Sequence, residues 1–594
     1  MKLKYFWQSS FRLTDLLILT FITTTLFLKF RLLFLLNIDV DEFTFLSVVH
    51  RYIQGTLGSP FYTFHVHLFS WLPMVSMNEI DQVMAARLVM FSFFVGSSVF
   101  TYLIAKYFLN TTGALFSVLC YVSISNIIIH GTSFRFDPIC SLLFLIAVYL
   151  FLNKPGRNVG ISLSGFCMAL SMMISFKSFF YMVTLIVLYL CLLYISEDRR
   201  ETIKNIILFY ISFLISLLLL FMYHSHMLFD MQYKDILFSV SGNVKHTVGL
   251  KLFFNGYIHN WQYLVIFIIE NIVVVSLLIS GLILIIYKYA IGNNIYNNNI
   301  IILSFLVNCA PLVYYRYNHP YFYVFILSPA IVLCGIIVNG LEKINHGKML
   351  YIVPILISLL SLIVFSNVIH HYNNNAFDQN ISKKEIVNAV HKMFPTPVPY
   401  IDRCFMISSF PGVGLQMTTR DMERYSKANN PIMRDMIVQQ KPKLIVANIV
   451  YLDLKLPYNG NAKDIFFNYP LLEEDYEVLR RNYIHHWGKL YVPGKKFNFN
   501  SEKKEEKFKI LIPGTYTIET TENIQINGVN YENGDIIRLD NTIYEVKPRI
   551  IPSEVVIRWG NNIYKPNDDP SLQPIFFGYY PFYTKDRSKL NTTK

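Results

Sequence analysis

Leu35-Leu36-Asn37-Ile38-Asp39-Val40-Asp41-Glu42 is the stretch on which the reading of this chain turns. Carboxylates at Asp39, Asp41 and Glu42 follow directly on a run of apolar residues, where the chain should leave a bilayer. Acids this close together repel one another and are costly near lipid. One reading makes them the solvated cap of the amphipathic helix that follows, since Asp and Glu favour a helix N-terminus. The other makes them a functional acid cluster. The second gains weight because other polar residues at span ends fall on the same side of the membrane.

Working outward, composition removes the soluble classes. The 594 residues are 53% hydrophobic and 16% aromatic, and apolar runs near span length recur along the first part of the chain. That is a polytopic helical membrane protein. The net charge of +13 does not call for nucleic acid, because much of the Lys and Arg sits in short loops between apolar runs. Of the seven cysteines, only Cys404 lies in the hydrophilic tail, so that region has no internal disulfide. No CxxC or Cys/His metal spacing is present. Lys2, Lys4 and Arg12 precede the first apolar run without a small-residue cleavage site, which reads as an uncleaved signal anchor.

The first span is expected at 13–36, with Lys29 and Arg31 snorkelling from a tilted or interfacial end. A loop over 37–83 follows, with amphipathic stretches at 43–54 and 61–72 that are too short to cross and should lie in the interface. Further apolar runs lie at 84–107, 111–129, 136–153, 159–176, 178–196, 206–223, 261–288, 299–316, 320–339 and 349–369. That makes about eleven spans. With the N-terminus inside, every inner loop carries a cation: Lys106; Lys154 and Arg157; Arg199, Arg200 and Lys204; Lys288; Lys343 and Lys348. This orientation puts the 37–83 loop and everything after about 370 outside. The expected domains are a membrane domain at 1–370, an outer α/β domain at 371–500 and an outer β-rich domain at 501–594. In the tail, Tyr400 to Phe410 and Leu444 to Val450 read as strands and Pro431 to Gln440 as a helix. Tyr476 to Tyr483 with Gly488 to Val492 reads as a hairpin, and Pro513-Gly514, Asn527-Gly528 and Asn533-Gly534 are hairpin turn signals.

Unusual polar residues gather at the outer ends of the spans. Arg135 and Asp137 lie between the third and fourth spans, read either as a cap with its ion pair or as part of a site. Lys177 lies in the next outer turn, either snorkelling or countering a lipid phosphate. Arg316, His319 and Tyr321 join two late spans; an aromatic belt explains the tyrosine but not the cations. Arg87 opens the second span, where it reads as an interfacial anchor or a site residue. His65 and His67, spaced by two, do not share a helix face, so surface or interfacial histidines are expected rather than a metal pair. Glu270 falls inside an apolar run, as an intramembrane acid or as an interfacial one if its span begins later. Carboxylates with this set of cations suit an anionic lipid-linked donor and a hydroxyl or amine acceptor. Cations hold the phosphate and stabilise it as it leaves, and a carboxylate takes the acceptor's proton.

This layout resembles the GT-C superfamily of polyprenyl-phosphate-dependent glycosyltransferases, in particular the group with protein O-mannosyltransferases and the lipid A aminoarabinose transferase. Asp41-Glu42 resembles the Asp-Glu pair that opens the first outer loop of that group, and Phe43 to Gly55 with Pro60-Phe61-Tyr62 the pattern downstream. Arg135 and Asp137 match its Arg-x-Asp, Lys177 its next outer Lys, and Arg316 with His319-Pro320-Tyr321 its late Arg/His-Pro-Tyr segment. The resemblance covers residues 1–370 and implies inverting transfer of a sugar from a polyprenyl-phosphate donor, with Asp41 as general base. It implies donor-phosphate contacts from Lys177, Arg316 and His319, and positioning roles for Arg135, Asp137, Arg87 and Tyr321. Asp39 departs from the pattern. It creates an Asp-x-Asp with Asp41 that would bind a divalent cation such as Mg or Mn, as in the oligosaccharyltransferase branch, and it leaves open which Asp is the base. The acceptor would be a glycan, a lipid or a protein. The setting implied is a bacterial inner membrane, with the N-terminus cytoplasmic and the tail periplasmic.

Two readings from other classes compete. A transporter or flippase of lipid-linked sugars would show related halves or helices broken at midplane, and the sequence shows neither. A non-catalytic envelope assembly protein would not need Arg135, Asp137 and Lys177 on the side of the acids.

Overall fold

The computed structural model describes residues 13–154, 156, 158–228, 261–290, 297–315, 319–343, 349–458, 469–571, 573 and 575. The chain divides into two compact units. The first comprises Met1–Leu36, Arg51–Ser70 and Met84–Phe377; the second comprises Asn37–His50, Trp71–Val83 and Asp378–Lys594.

The first unit is helical because its apolar runs can satisfy their backbone polar groups in lipid only internally. Among the described residues, 6 helices are long and apolar enough to cross a membrane: Leu13–Leu35, Glu79–Phe108, Phe136–Asn153, Phe176–Ile195, Arg199–Met227 and Ile352–Asn375. A seventh candidate, Trp261–Glu270 with Ile272–Lys288, is bent by 93° at its break. The remaining runs appear as shorter helices: Thr111–Val122 followed by Ser125–His130, Asn158–Ile174, and Phe322–Ile326 followed by Val332–Lys343. Asn299–Tyr314 is a further short apolar stretch. Glu270 lies at the bend rather than in a continuous span.

Close crossings rely on small residues, as expected where lipid removes the hydrophobic drive between helices. Thr111–Val122 packs on Val332–Lys343. There a Cβ added at Gly113 would stand 2.9 Å from the Gly335 carbonyl oxygen, and one at Gly335 would stand 2.3 Å from that of Gly113. Asn158–Ile174 packs against Arg199–Met227 in the same manner: a Cβ added at Gly165 would stand 2.6 Å from the Phe209 carbonyl oxygen. Lys29 does not snorkel. It is buried and donates to the Ile128 carbonyl, which serves its ammonium inside the bundle where water does not reach.

Among its described residues the second unit carries eleven strands: β1 Tyr400–Ile401, β2 Leu444–Val446, β3 Tyr483–Trp487, β4 Leu490–Phe499, β5 Glu506–Lys509, β6 Gly514–Thr520, β7 Ile524–Ile526, β8 Val529–Tyr531, β9 Ile536–Leu539, β10 Ile543–Pro548 and β11 Ser553–Trp559. One 7-stranded sheet runs β1-β2-β4-β11-β6-β9, with β3 also paired to β4; a 4-stranded sheet runs β5-β10-β7-β8. All pairings are antiparallel except β1 with β2. Two hydrophobic cores result. One is built from residues such as Ile401, Met436, Ile445, Leu479 and Tyr491, the other from Phe497, Ile518, Ile526, Val546 and Ile557; Trp559 packs on both.

Asn527-Gly528 forms the β7–β8 hairpin with positive φ at both residues (49° and 83°), the geometry its sequence requires. Asn533-Gly534 instead leads into β9, which pairs with β6. Two local expectations are corrected. The strand expected over 400–410 stops at Ile401, because Asp402 takes the backbone N–H of Phe405 and Met406 and Phe405 adopts φ 59°. The hairpin expected from Tyr476 is a helix, Glu473–Asn482, followed by the β3–β4 hairpin. Its first turn holds Glu473, Glu474 and Asp475 and its last turn Arg480 and Arg481, charges that complement the helix dipole.

Candidate functional site

The acid stretch belongs to the second unit, where it starts the Val40–Ile53 helix. Asp39 is the helix N-cap: its Oδ1 accepts from the backbone N–H of Asp41 (2.8 Å) and Glu42 (3.1 Å). Glu42 reaches back, its Oε2 accepting from the Asp39 N–H at 3.1 Å. This reciprocal arrangement is a capping box. It lets the acids sit together, because amide dipoles at the helix start offset their repulsion. Asp39 and Asp41 are half-buried and Glu42 is fully buried. Asp39 and Glu42 bond in the cap through their side chains, and Asp41 bonds in it through its backbone N–H.

Segments of the same unit, remote in sequence, surround the stretch. Ile38 donates its N–H to Asn380 Oδ1 (2.9 Å), and Lys383 Nζ donates to Asn37 Oδ1. Gln416 Nε2 donates to Thr44 Oγ1 at 3.0 Å. The Cys404 thiol is pushed well above its ordinary value by burial first and by Asp402 next, with Arg403, Asp39 and Asp41 close enough to act on it. Glu79, fully buried, accepts from the Ser409 hydroxyl (2.6 Å) and N–H (3.1 Å) and bonds His391 Nε2 at 3.0 Å. His50 pairs with Gln82 at 2.8 Å, and burial lowers its imidazole below the ordinary value.

The cations belong to the first unit. Arg135 and Asp137 are both buried, joined Nε to Oδ2 at 3.2 Å. The Arg135 guanidinium lies over the Tyr321 ring, 3.4 Å from its centroid. Lys177 Nζ stands 3.8 Å from Asp137 Oδ1 and 5.2 Å from the centre of the same ring. One carboxylate and one aromatic face thus serve two cations, and such contacts gain strength when desolvated. Lys177 is the more open of the two, its side chain 21% exposed against 5% for Arg135. Asn126 fixes the segment before Tyr321 by donating to the Pro320 carbonyl at 2.9 Å. The His319 ring packs between those of Tyr263 and Tyr321. Arg316 lies outside the described residues. Arg87 is buried and donates to the carbonyls of Leu33 (3.0 Å) and Leu36 (2.8 Å), which closes the free C-terminal end of the first helix.

His65 and His67 do not pair with each other. His67 Nε2 bonds His224 Nδ1 at 2.8 Å, and His224 Nε2 bonds Thr63 Oγ1 at 2.9 Å. Glu79, Asn380, Lys383 and His224 escaped the sequence reading because each meets its partner across a long stretch of chain. Glu79 carried one usable signal, an acid in the first turn of an apolar helix.

The sequence expects a divalent cation at Asp39 and Asp41. Among the described residues, no three His, Cys, Asp or Glu side chains come together to hold an ion. Asp39 Oδ1 and Glu42 Oε2 are already engaged by backbone amides.

No known protein-family model matches the chain, and no curated protein matches it. Solved structures do. The Archaeoglobus fulgidus oligosaccharyltransferase in its apo form is similar at a TM-score of 0.55 and 8% identity, over 94% of this chain and 95% of that one. ArnT from Cupriavidus metallidurans, solved bound to undecaprenyl phosphate, is similar at a TM-score of 0.51 and 10% identity, over 74% of this chain and 94% of that one. Both belong to the GT-C superfamily. The likeness is one of fold: this chain has the GT-C architecture, a polytopic helical body with a C-terminal sheet region.

Proposed function

We propose that the protein is a membrane glycosyltransferase that moves a sugar from a polyprenyl-phosphate donor to an acceptor on the outer face of a bacterial inner membrane. Transfer proceeds with inversion. The acceptor's hydroxyl or amine attacks the anomeric carbon as the bond to the donor phosphate oxygen breaks. Asp41 takes the acceptor's proton, and the electron pair leaves with the phosphate. Lys177, Arg316 and His319 offset the charge gathering on that phosphate. Asp137, Arg135 and Tyr321 hold Lys177 in place, and Arg87 fixes the end of the first helix. The acceptor is a glycan, a lipid or a protein. The N-terminus is cytoplasmic and the tail periplasmic.

The observation that carries this reading is the capping box. It gathers three carboxylates, Asp39, Asp41 and Glu42, at one helix start, in a chain with the fold of an oligosaccharyltransferase and of ArnT. The test is transfer of radiolabelled sugar from polyprenyl-phosphate donors into membrane acceptors. Asp41→Asn should cut turnover about 100-fold or more, the range lost with a general base. Wild-type turnover in that variant would refute Asp41 as the base. A parallel arm with a chelator reads any metal requirement directly.

A further inference from the structure

The second unit places two tail residues against the backbone that leads into the acids. Asn380 is 3% exposed and Lys383 fully buried, both at the start of the Ile381–Met393 helix. The Asn380 backbone N–H donates to Asp378 Oδ1 at 2.8 Å, and its side-chain Oδ1 accepts from Ile38. Lys383 spreads its ammonium between the Gln379 carbonyl (3.1 Å) and Asn37 Oδ1. A fully buried lysine is costly unless its donors are used, so its presence here fixes what it bonds. Both contacts grip the residues directly before Asp39.

The same helix and the loop after β1 hold the second edge of the outer loop. Asn388 accepts from Asn78 at 2.7 Å, His391 and Ser409 bind Glu79, and Lys384 bonds Asp81 at 2.7 Å. The Lys384–Asp81 pair is exposed and adds little by itself. The buried contacts differ, because each would leave an unmatched polar group if broken.

We propose that Asn380 and Lys383 are positioning residues: they set the backbone at Asn37 and Ile38, and through it the angle at which the capped helix presents Asp41. The functional half of this proposal rests on the glycosyltransferase reading; the structural half does not. It gives the Ile381–Met393 helix a task in the chemistry of the loop, beyond any binding of acceptor by the tail.

The test uses the full-length protein in nanodiscs and compares wild type with Asn380→Ala, Asn380→Asp and Lys383→Met. Hydrogen–deuterium exchange is followed in peptides covering 37–50, with β4 peptides as the check on folding. Loss of the acceptor at Asn380 should speed exchange at 38–42 by about tenfold, with β4 unchanged. Asn380→Asp keeps an oxygen for the Ile38 N–H and should restore wild-type protection even if the alanine variant is unstable. With radiolabelled polyprenyl-phosphate sugars, Asn380→Ala and Lys383→Met should lower kcat with KM unchanged, and Asn380→Asp should recover it. Wild-type exchange at 38–42 in both Asn380→Ala and Lys383→Met would overturn the proposal, as would faster exchange with kcat intact. If wild-type protein transfers no label from any donor, the glycosyltransferase reading fails, while exchange still decides whether these residues hold the stretch.

Discussion

The acid stretch and the Arg135–Asp137–Lys177 cluster solve the same problem, crowded charge near a bilayer, by different means. The acids lean on backbone amides: a helix start takes one carboxylate, and a second returns to the cap. The cations lean on side chains, sharing Asp137 and the face of Tyr321 inside the helical unit. Amide dipoles are present whatever the sequence, so a cap tolerates substitution among capping residues. A buried ion pair has no such reserve, because removing one member strands the other. Sensitivity to mutation should therefore be steep in the cation cluster and shallow in the cap.

Four measurements can break that contrast. The largest effect is expected from Asp137→Asn, which removes the carboxylate that Arg135 and Lys177 share and should cost about 3–5 kcal/mol of stability, read as a lowered thermal midpoint in detergent. An unchanged midpoint would mean that the pair is solvated and the contrast false. Next is Lys177→Met. Its ammonium is partly open, so stability should hold while KM for the polyprenyl-phosphate donor rises about tenfold, the scale of a hydrogen bond to a charged group. A loss confined to kcat would move Lys177 out of ground-state phosphate binding.

Third is acid sensitivity of the capped helix. His50 is held below its ordinary 6.5 chiefly by burial, so it stays neutral in the folded protein while the unfolded chain takes up a proton. Stability contributed there is lost as pH falls below 6.5, until His50's own lower value is passed. Exchange across residues 40–50, corrected for its intrinsic pH dependence, should rise over that window, and His50→Gln should flatten the rise. Exchange that ignores pH would remove His50 from the account. The smallest effect belongs to Asp39→Asn. Asparagine caps as well as aspartate, so stability should change by no more than about 0.5 kcal/mol, whereas Asp39→Ala should cost about 1 kcal/mol. Loss of transfer in the asparagine variant with the cap intact would give Asp39 a chemical role.

Much of this was legible in the sequence, for identifiable reasons. The apolar runs show because lipid forbids alternatives to long hydrogen-bonded helices. The Arg135, Asp137 and Lys177 grouping shows because charge at a span end is rare enough to stand out. Asn527-Gly528 shows because its turn requires two left-handed residues. What failed was decided by partners far along the chain or by a single side chain. Nothing local to Glu79 announces Ser409 and His391. Nothing in the alternation of 400–410 announces that Asp402 will fold the following amides around itself. The end charges of Glu473–Asn482 were available, but the apolar spacing from Tyr476 outweighed them. In the acid stretch, the clustering of the carboxylates is legible and their hydrogen bonds are not, since a capping box and an Asp-x-Asp metal motif share the same letters.

Strand β4 bears on how such a tail can be recombined. Its first residues pair with β2 and β3 over one core, and its last, Gly494 to Phe499, pair with β11 over the other. The final hundred residues are therefore not a detachable module. Exchanging them for a foreign domain after Phe499 would remove β11 and most of the second core, strip Trp559 from the first and leave an open strand edge, which invites pairing with other chains. A chimera in this tail should be joined ahead of β1 or not at all.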